Sequence, residues 1–215
     1  SKLIPKEYLK RSKLFKKLIC RIFPSFKARI ELNKGNINKP FQTLNRSIFA
    51  NINNSKIYRR LSFMNQVING QSPFKPSVNR TYKTYNGRVI QVFHSCETYH
   101  QNGYAIRSKH ILDSLKNIGI HTTNVTRLGY PWDFNQFAAA AICEISKPDK
   151  IEYRHKHCPE RLLADSDLLY IKKYADYLSK LITEKNHSVI HAHSNYLNGI
   201  ASALAAEKTN IPSIY

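Results

Sequence analysis

The sequence predicts an α/β fold with a Rossmann-like parallel sheet in residues 88–215. Two observations support this fold: short apolar, β-branched runs recur from Arg88 onward, and stretches with helical periodicity lie between them. Strands that alternate with helices are joined by right-handed crossovers, which build a parallel sheet. A basic segment, residues 1–87, precedes this domain and is expected to be partly helical or disordered.

The first half of the predicted domain contains two strands with a helix between them. Residues 89–93 form an apolar run typical of a buried strand, and residues 120–126 form the second strand. The helix is predicted over residues 105–117, and Gly119 is a suitable residue to end it because glycine adopts left-handed backbone angles. Its apolar positions at near-helical spacing are Ile106, Ile111, Leu115 and Ile118.

A candidate strand at residues 150–154 and a long helix follow. The helix is expected to begin after Asp165 or Ser166, since short side chains with an oxygen cap the N–H groups of a first turn. Its apolar stripe consists of Leu168, Ile171, Ala175, Leu178 and Ile182.

The last predicted elements are a strand at residues 188–193, an alanine-rich helix at residues 199–208 and a strand after Pro212. Residues 89–93 and 189–193 are both short apolar runs that lead into polar loops. We therefore expect these two runs to be neighbouring parallel strands of one sheet.

The net charge of +20 belongs to the N-terminal segment. Residues 1–88 contain 20 basic and two acidic side chains, whereas residues 89–215 contain 14 and 12. Within the segment, residues 6–23 predict a basic amphipathic helix of the type that lies on an anionic membrane surface. The alternative is that its apolar stripe packs on another domain. Residues 31–86 show no sustained period and predict a linker with a short helix near residues 55–67.

Cysteine usage and hydropathy bear on the location of the protein. The four cysteines show no C-x-x-C spacing, which favours a reducing cytosol over a disulfide-bonded secreted protein. No apolar run approaches the roughly 20 residues of a membrane-spanning helix. Because the chain begins with Ser1 and ends in a predicted strand, we expect a fragment of a longer protein.

Polar loops follow the predicted strands at the edge where open parallel sheets bind ligands. The first loop, residues 94–105, enters its helix through Gly103, and a helix N-terminus offers N–H groups and partial positive charge to a phosphate. Alternatively, Gly103 only opens a turn. The second loop contains Arg127, Trp132 and Asp133, a combination that suits a sugar ring. Its alternative is that Tyr130 and Trp132 pack on the rim of the core.

The third loop follows His191 and His193, which alternation places on one face of the sheet. The pair resembles half of a zinc site, but no third ligand has a suitable spacing, and the cluster at residues 155–158 lies in an irregular region. We therefore expect no metal. His193 stands at the end of the strand, whereas His191 is expected to lie deeper and to be structural.

Three segments in this order, residues 92–107, 126–133 and 191–199, resemble the N-terminal domain of glycosyltransferase family 4. The resemblance implies a GT-B fold, in which two Rossmann-like domains face each other across a cleft, and it identifies this chain as the acceptor-side half. It also implies a nucleotide-sugar donor, a glycan or lipid-linked acceptor, retention of anomeric configuration, and no required metal or cofactor.

The resemblance also assigns residues. His193 matches the histidine near the reacting sugar and is the candidate catalytic residue, and Gly103 matches the glycine loop near the donor diphosphate. Asn102 stands where the family often has a second glycine. The candidate residues for binding donor or acceptor are Gly103, Asn102, Tyr104, Arg107, Arg127, Trp132, Ser194 and Asn195.

The family's E-x(7)-E carboxylates and the basic residues that hold the diphosphate belong to its second domain, which this sequence does not contain. We therefore expect a cytoplasmic hexosyltransferase domain of glycan biosynthesis that is inactive alone. Residues 6–23 would make it peripheral on the inner face of the membrane. Two alternatives remain: a basic nucleic-acid or anionic-membrane binding module on an α/β scaffold, and a metal-dependent hydrolase that uses His191 and His193.

Overall fold

The structure is a computed structural model that describes residues 24–36, 38–45, 55–71, 74, 81–141, 143–158 and 167–215. The chain divides into two units between Pro73 and Phe74. The basic helix predicted at residues 6–23 and the predicted capping residues Asp165 and Ser166 lie outside the described residues.

The first unit contains helices α1 (Pro24–Asn33), α2 (Asn38–Asn45) and α3 (Ser55–Ile68). Consecutive helices pack against each other. Their contact surface is a small apolar cluster of the fully buried residues Ala28, Leu44 and Leu61, with Leu32 and Tyr58 packed against it.

The sequence predicted one of these three helices. The helix expected near residues 55–67 is confirmed as α3, whereas the assignment of residues 31–86 to a linker is wrong for the end of α1 and for α2. In α1, Ala28, Ile30 and Leu32 alternate with polar residues, a spacing of two that gives no helical stripe. The helix α2 has only eight residues, which is too short for a periodic signal.

The second unit is an α/β unit with a six-stranded sheet. Its strands are β1 (Arg88–Phe93), β2 (His121–Thr126), β3 (Ile145–Ser146), β4 (Tyr153–Arg154), β5 (Val189–Ala192) and β6 (Ser213–Ile214). Their spatial order is β3-β4-β2-β1-β5-β6, and all neighbours are parallel except β3 and β4. Counted without β3, the parallel strands stand in the order 3-2-1-4-5 of a Rossmann-like sheet, so the predicted fold class is confirmed.

The predicted neighbours β1 and β5 pair in parallel, with Val89 opposite Val189 and Val92 opposite Ala192. Every residue of β1 after Arg88 is buried, as expected for a central strand covered on both faces.

The helices of this unit are α4 (Gly103–Asn117), α5 (Asp167–Lys185) and α6 (Tyr196–Thr209). Helix α4 follows β1 and packs on β2, while α5 and α6 pack against each other. Gly119, just beyond α4, has the predicted left-handed backbone, with φ of 76°. In α5, the predicted stripe is confirmed at four fully buried positions: Ile171, Ala175, Leu178 and Ile182.

The apolar stripe that predicted α4 is not the buried face of that helix. Its buried residues are Ala105, Ser108 and Leu112, whereas Ile106 is 46% exposed and Ile118 is 71% exposed. Spacing identified the helix correctly, but its buried face consists of the small residues Ala105 and Ser108 together with Leu112, and small residues allow close packing.

The division between the units lies before the predicted boundary at residue 88. Residues 81–87 hydrogen-bond within the second unit: Lys83 N donates to Asn210 O at 3.0 Å, and Asn86 Nδ2 donates to Asn186 O at 2.7 Å. These bonds place the segment before β1 with the sheet and with the ends of α5 and α6.

Candidate functional site

The strand order reverses direction between β1 and β5. From β1 the chain moves outward through β2 to β4, then returns to place β5 on the other side of β1 and continues to β6. Right-handed crossovers in opposite directions put their helices on opposite faces, which opens a crevice between the loops after β1 and β5. The loops that meet at this switch point enter α4 and α6.

The loop after β1 ends in a capped helix N-terminus. Asn102 is the N-cap of α4, and its Oδ1 accepts from Ala105 N at 3.0 Å and from Ser95 Oγ at 3.3 Å. Gly103 is the first residue of the helix, and a Cβ built on it would meet no atom within 4 Å. The fold therefore does not require glycine here, and the space beside this backbone is open.

The loop after β5 turns sharply into α6. Ser194 and Asn195 both have left-handed backbone angles, with φ of 49° and 79°. Asn195 is the N-cap, and its Oδ1 accepts from Leu197 N at 3.0 Å. Two successive non-glycine residues with positive φ are uncommon, and such strain concentrates at ligand sites.

Arg107 joins the two loops although it is 87 residues from its partner. Its guanidinium donates to Ser194 Oγ, and it lies 5.6 Å from the ring centroid of the half-exposed Tyr104. Arg107 itself is exposed, so its charge remains reachable from solvent. We call these residues, with His193, the switch-point cluster: Asn102, Gly103, Tyr104, Arg107, His193, Ser194 and Asn195.

His193 is held closely at the end of β5. Its Nε2 lies 2.7 Å from Gln91 Oε1, and its ring stacks on Phe93 with centroids 4.6 Å apart. Burial, together with the neighbouring charges of His191 and Arg107, lowers the pKa of His193 to about 4. The imidazole is therefore neutral at physiological pH.

The prediction that the two histidines share one face is confirmed, because the rings of His191 and His193 lie 4.0 Å apart. The expectation that His191 lies deeper is wrong. Both side chains are partly buried, and it is His193 whose ring reaches the buried Gln91 side chain, with Nε2 2.7 Å from Oε1. Alternation gives the face of a residue but not its depth.

The β2 loop, residues 127–134, buries Arg127 and Trp132, the two residues predicted to bind donor or acceptor, and leaves Asp133 exposed. Arg127 is buried, and both of its terminal nitrogens bond the carboxylate of Asp133, one of them at 3.0 Å. Trp132 is 7% exposed, and its ring packs edge-on against His157. Tyr130 is fully buried. The alternative in which this loop packs on the core is therefore confirmed, and binding roles for Arg127 and Trp132 are not supported by their burial.

A buried polar network behind the β2 loop was not predicted from the sequence. The ring nitrogens of His155 lie 2.8 Å from Thr126 Oγ1 and 2.7 Å from Ser146 Oγ, and Ser146 Oγ in turn accepts from Thr98 Oγ1 at 3.0 Å. Burial lowers the pKa of His155 to about 4. The network ties the loop after β1 to strands β2, β3 and β4.

The same loop is anchored by Cys96, which is fully buried beside Phe93, Leu112 and Tyr130. The Tyr130 hydroxyl donates to Cys96 O at 3.3 Å and lies 2.8 Å from His100 Nδ1. Burial raises the pKa of the Cys96 thiol, which makes it a packing group rather than a nucleophile.

His94, at the end of β1, is a second group that the sequence did not single out as a site residue. Its Nδ1 is buried without a hydrogen-bond partner among the described residues, and burial lowers its pKa. Its ring lies 5.5 Å from that of Tyr104. The only sequence signal was its position directly after a strand.

Within the described parts of the chain, no group of three or more histidine, cysteine, aspartate or glutamate side chains is arranged to hold a metal ion. The described helices include none that is long and apolar enough to cross a membrane. A scan against protein-family models and a search of curated proteins find no match to this chain.

Proposed function

We propose that this chain is the acceptor-side domain of a GT-B glycosyltransferase of the family 4 type, which transfers a sugar from a nucleotide-sugar donor with retention. The observation that carries the proposal is the convergence of two capped helix N-termini, an exposed arginine and a neutral histidine at the switch point of a Rossmann-like sheet. Ligands of open α/β sheets bind at this position.

The electrostatics of the switch-point cluster suit a diphosphate. The N-terminus of α4 begins at Gly103, whose backbone has open space beside it, and the N-terminus of α6 begins after Asn195. Each N-terminus contributes partial positive charge, and Arg107 adds a full one that reaches solvent. A nucleotide-sugar diphosphate would be stabilised where these groups meet.

His193 supplies a different function. It is neutral at physiological pH and cannot neutralise a phosphate, but it suits a hydrogen bond to an uncharged sugar hydroxyl. An interaction of this kind that strengthens as charge develops raises the catalytic rate. His193 thus retains its proposed role as the residue of this domain nearest the reacting sugar.

The acceptor has a candidate surface that includes two residues of the loop after β1, the loop that ends at Asn102. The rings of Tyr99, His100, Phe134 and Phe137 form a chain of contacts with centroids 4.3 to 5.5 Å apart, and Phe134 is 37% exposed. Aromatic faces of this kind pack against the apolar faces of sugar rings. We therefore propose a glycan or lipid-linked glycan acceptor.

The experiment that tests the diphosphate site is a titration of the chain with inorganic pyrophosphate, followed by amide NMR shifts. We expect shifts confined to residues 102–107 and 194–198, weakened at least tenfold in Arg107→Ala. Lys116→Ala, which removes one charge from the other end of α4, is the matched control and should bind as the wild type does. Binding lost equally in both variants would indicate a nonspecific effect of net charge and would contradict the proposed site.

The catalytic part of the proposal is tested by joining the chain to a donor-binding domain. We expect no transfer by the chain alone, because most of the groups that stabilise the leaving diphosphate belong to the second domain and the switch-point cluster would supply only a part of that site. In the joined enzyme, His193→Ala should lower the rate on the order of 10²-fold at saturating substrates. Equal rates for His193→Ala and wild type would show that His193 is not the catalytic residue.

We further propose a cytoplasmic location in contact with an anionic membrane. The basis is the excess of basic residues in the N-terminal segment, above all the amphipathic pattern at residues 6–23. Sedimentation with vesicles that contain phosphatidylserine should pull down the chain at low salt and release it at high salt. Equal sedimentation with neutral vesicles would argue against this contact.

A further inference from the structure

Gln91 is buried in the centre of β1, yet its side-chain oxygen contacts the proposed catalytic histidine, with Oε1 2.7 Å from His193 Nε2. We propose that Gln91 is a positioning residue that holds His193 in the neutral tautomer with its proton on Nε2, so that Nδ1 accepts a hydrogen bond from a hydroxyl of the substrate. The identity of that hydroxyl as a sugar group rests on the function proposed above.

One backbone contact and two side-chain contacts fix the position of His193. Its backbone N–H donates to Val92 O at 2.8 Å, which extends the β1–β5 ladder by one bond. Its ring stacks on Phe93, with an angle of 14° between the planes. Gln91, which is 1% exposed and pairs with His191 in the register of the two strands, holds Nε2 from the third side.

The chemistry of the contact decides the tautomer. A neutral imidazole has one N–H donor and one acceptor nitrogen, and the hydrogen bond of one nitrogen fixes the role of the other. A carboxamide oxygen only accepts. Nε2 of His193 must therefore carry the proton, and Nδ1 carries the lone pair.

Nδ1 remains available for a ligand. It has no hydrogen bond to any residue in the described part of the chain, and the His193 side chain is only partly buried. The titratable groups that act on the ring are His191 on β5 and Arg107 on α4, and both oppose its protonation. Gln91 and Phe93 on β1 are uncharged.

This arrangement assigns phosphate and hydroxyl groups of the substrate to different residues of the switch-point cluster. A phosphate only accepts hydrogen bonds, so it binds to the Arg107 guanidinium and the helix N–H groups rather than to the lone pair of Nδ1. A hydroxyl can donate and therefore binds to Nδ1. Gln91 thus acts on specificity through His193 without touching the substrate.

The test is long-range ¹H–¹⁵N NMR of the histidine side chains of the whole chain, with the His193 signals assigned from a His193→Asn sample. We expect a protonated Nε2 and an unprotonated Nδ1 at pH 7. His155 is an internal control, since its ring nitrogens bond Thr126 and Ser146 and not Gln91. A proton on Nδ1 of wild-type His193 would overturn the proposal, because it would mean that Gln91 donates instead.

Two substitutions sharpen the test. Gln91→Met removes the acceptor at similar volume, and we expect both tautomers of His193 to become populated. Gln91→Glu keeps the acceptor and adds negative charge, which should raise the pKa of His193 from about 4 toward about 6. His155 should be unchanged in both variants. A His193 tautomer and pKa that are the same in wild type and both variants would also overturn the proposal.

These outcomes are independent of the proposed function. A chain that shows the Nε2–H tautomer but does not bind pyrophosphate would retain the positioning role of Gln91 and lose the diphosphate site. A chain that binds pyrophosphate with the other tautomer would do the reverse.

Discussion

The switch-point cluster and the β2 loop contain the same kinds of residue, but these residues differ in their exposure to solvent. Each has an arginine and an aromatic ring at the carboxyl edge of the sheet. Arg107 is exposed and donates a hydrogen bond to one hydroxyl, that of Ser194. Arg127 is buried, and both of its terminal nitrogens donate to the Asp133 carboxylate. A buried charge that already has an ionic partner within the fold is not available for a ligand, whereas a charge exposed to solvent is.

The largest difference is expected from removing the two arginines. Arg127→Ala removes a buried side chain together with both of its bonds to Asp133 and its packing against Tyr130 and Phe134, which should lower the free energy of unfolding by about 3 kcal/mol. Arg107→Ala should cost less than about 1 kcal/mol, because exposed contacts contribute little. Urea denaturation measures both. If Arg107→Ala were the more destabilising variant, the distinction between the two regions would fail.

Acid should weaken the region behind the β2 loop. Burial holds the pKa of folded His155 near 4, below its ordinary value of 6.5. The unfolded chain therefore binds more protons between these values, and the free energy of unfolding falls as pH is lowered through this window, by up to about 3 kcal/mol for this residue.

Urea denaturation at pH 7 and pH 4.5 measures the loss. His155→Gln, which does not titrate, should show a smaller difference between the two pH values. His187 and His193, whose pKa values are also lowered to about 4 by burial, continue to contribute in that variant. An unchanged pH dependence in His155→Gln would show that His155 is not the group responsible.

The smallest effects come from a matched pair of glycines, one in each region. Gly129 in the β2 loop has φ of 84°, so Gly129→Ala should destabilise the chain by about 1 to 2 kcal/mol. Gly103 has ordinary helical geometry with open space around it, and Gly103→Ala should change stability by about 0.5 kcal/mol or less. Thermal denaturation compares them, and a larger loss at residue 103 would contradict the open site.

The order of elements could be predicted from the sequence because apolar runs and helical stripes are local signals. The fold class predicted that β1 and β5 are neighbouring parallel strands, but it did not predict the register that places Val89 opposite Val189. Exposure could not be predicted in the same way. Trp132 and Tyr104 are both aromatic residues of segments that the sequence predicts as polar loops, but the first is buried and the second is half exposed, which depends on how distant segments pack.

The contacts within the candidate site could not be predicted from the sequence either. The bond from Arg107 to Ser194 spans 87 residues, and that between Gln91 and His193 spans 102. Each depends on the register of β1 against β5, which no periodicity specifies. The sequence identified the loops that carry the site, and only the folded sheet brings their side chains together.

The burial of Cys96 has a practical consequence for experiments on this protein. Of the three cysteines that the structure describes, Cys143 is exposed and Cys158 is partly exposed, whereas Cys96 lies in the loop after β1 with its side chain buried in the core. A thiol-alkylating reagent should modify the first two in the native chain and reach Cys96 only when that loop opens. The rate at which Cys96 is alkylated therefore measures how often this loop opens, and no label has to be introduced by mutation.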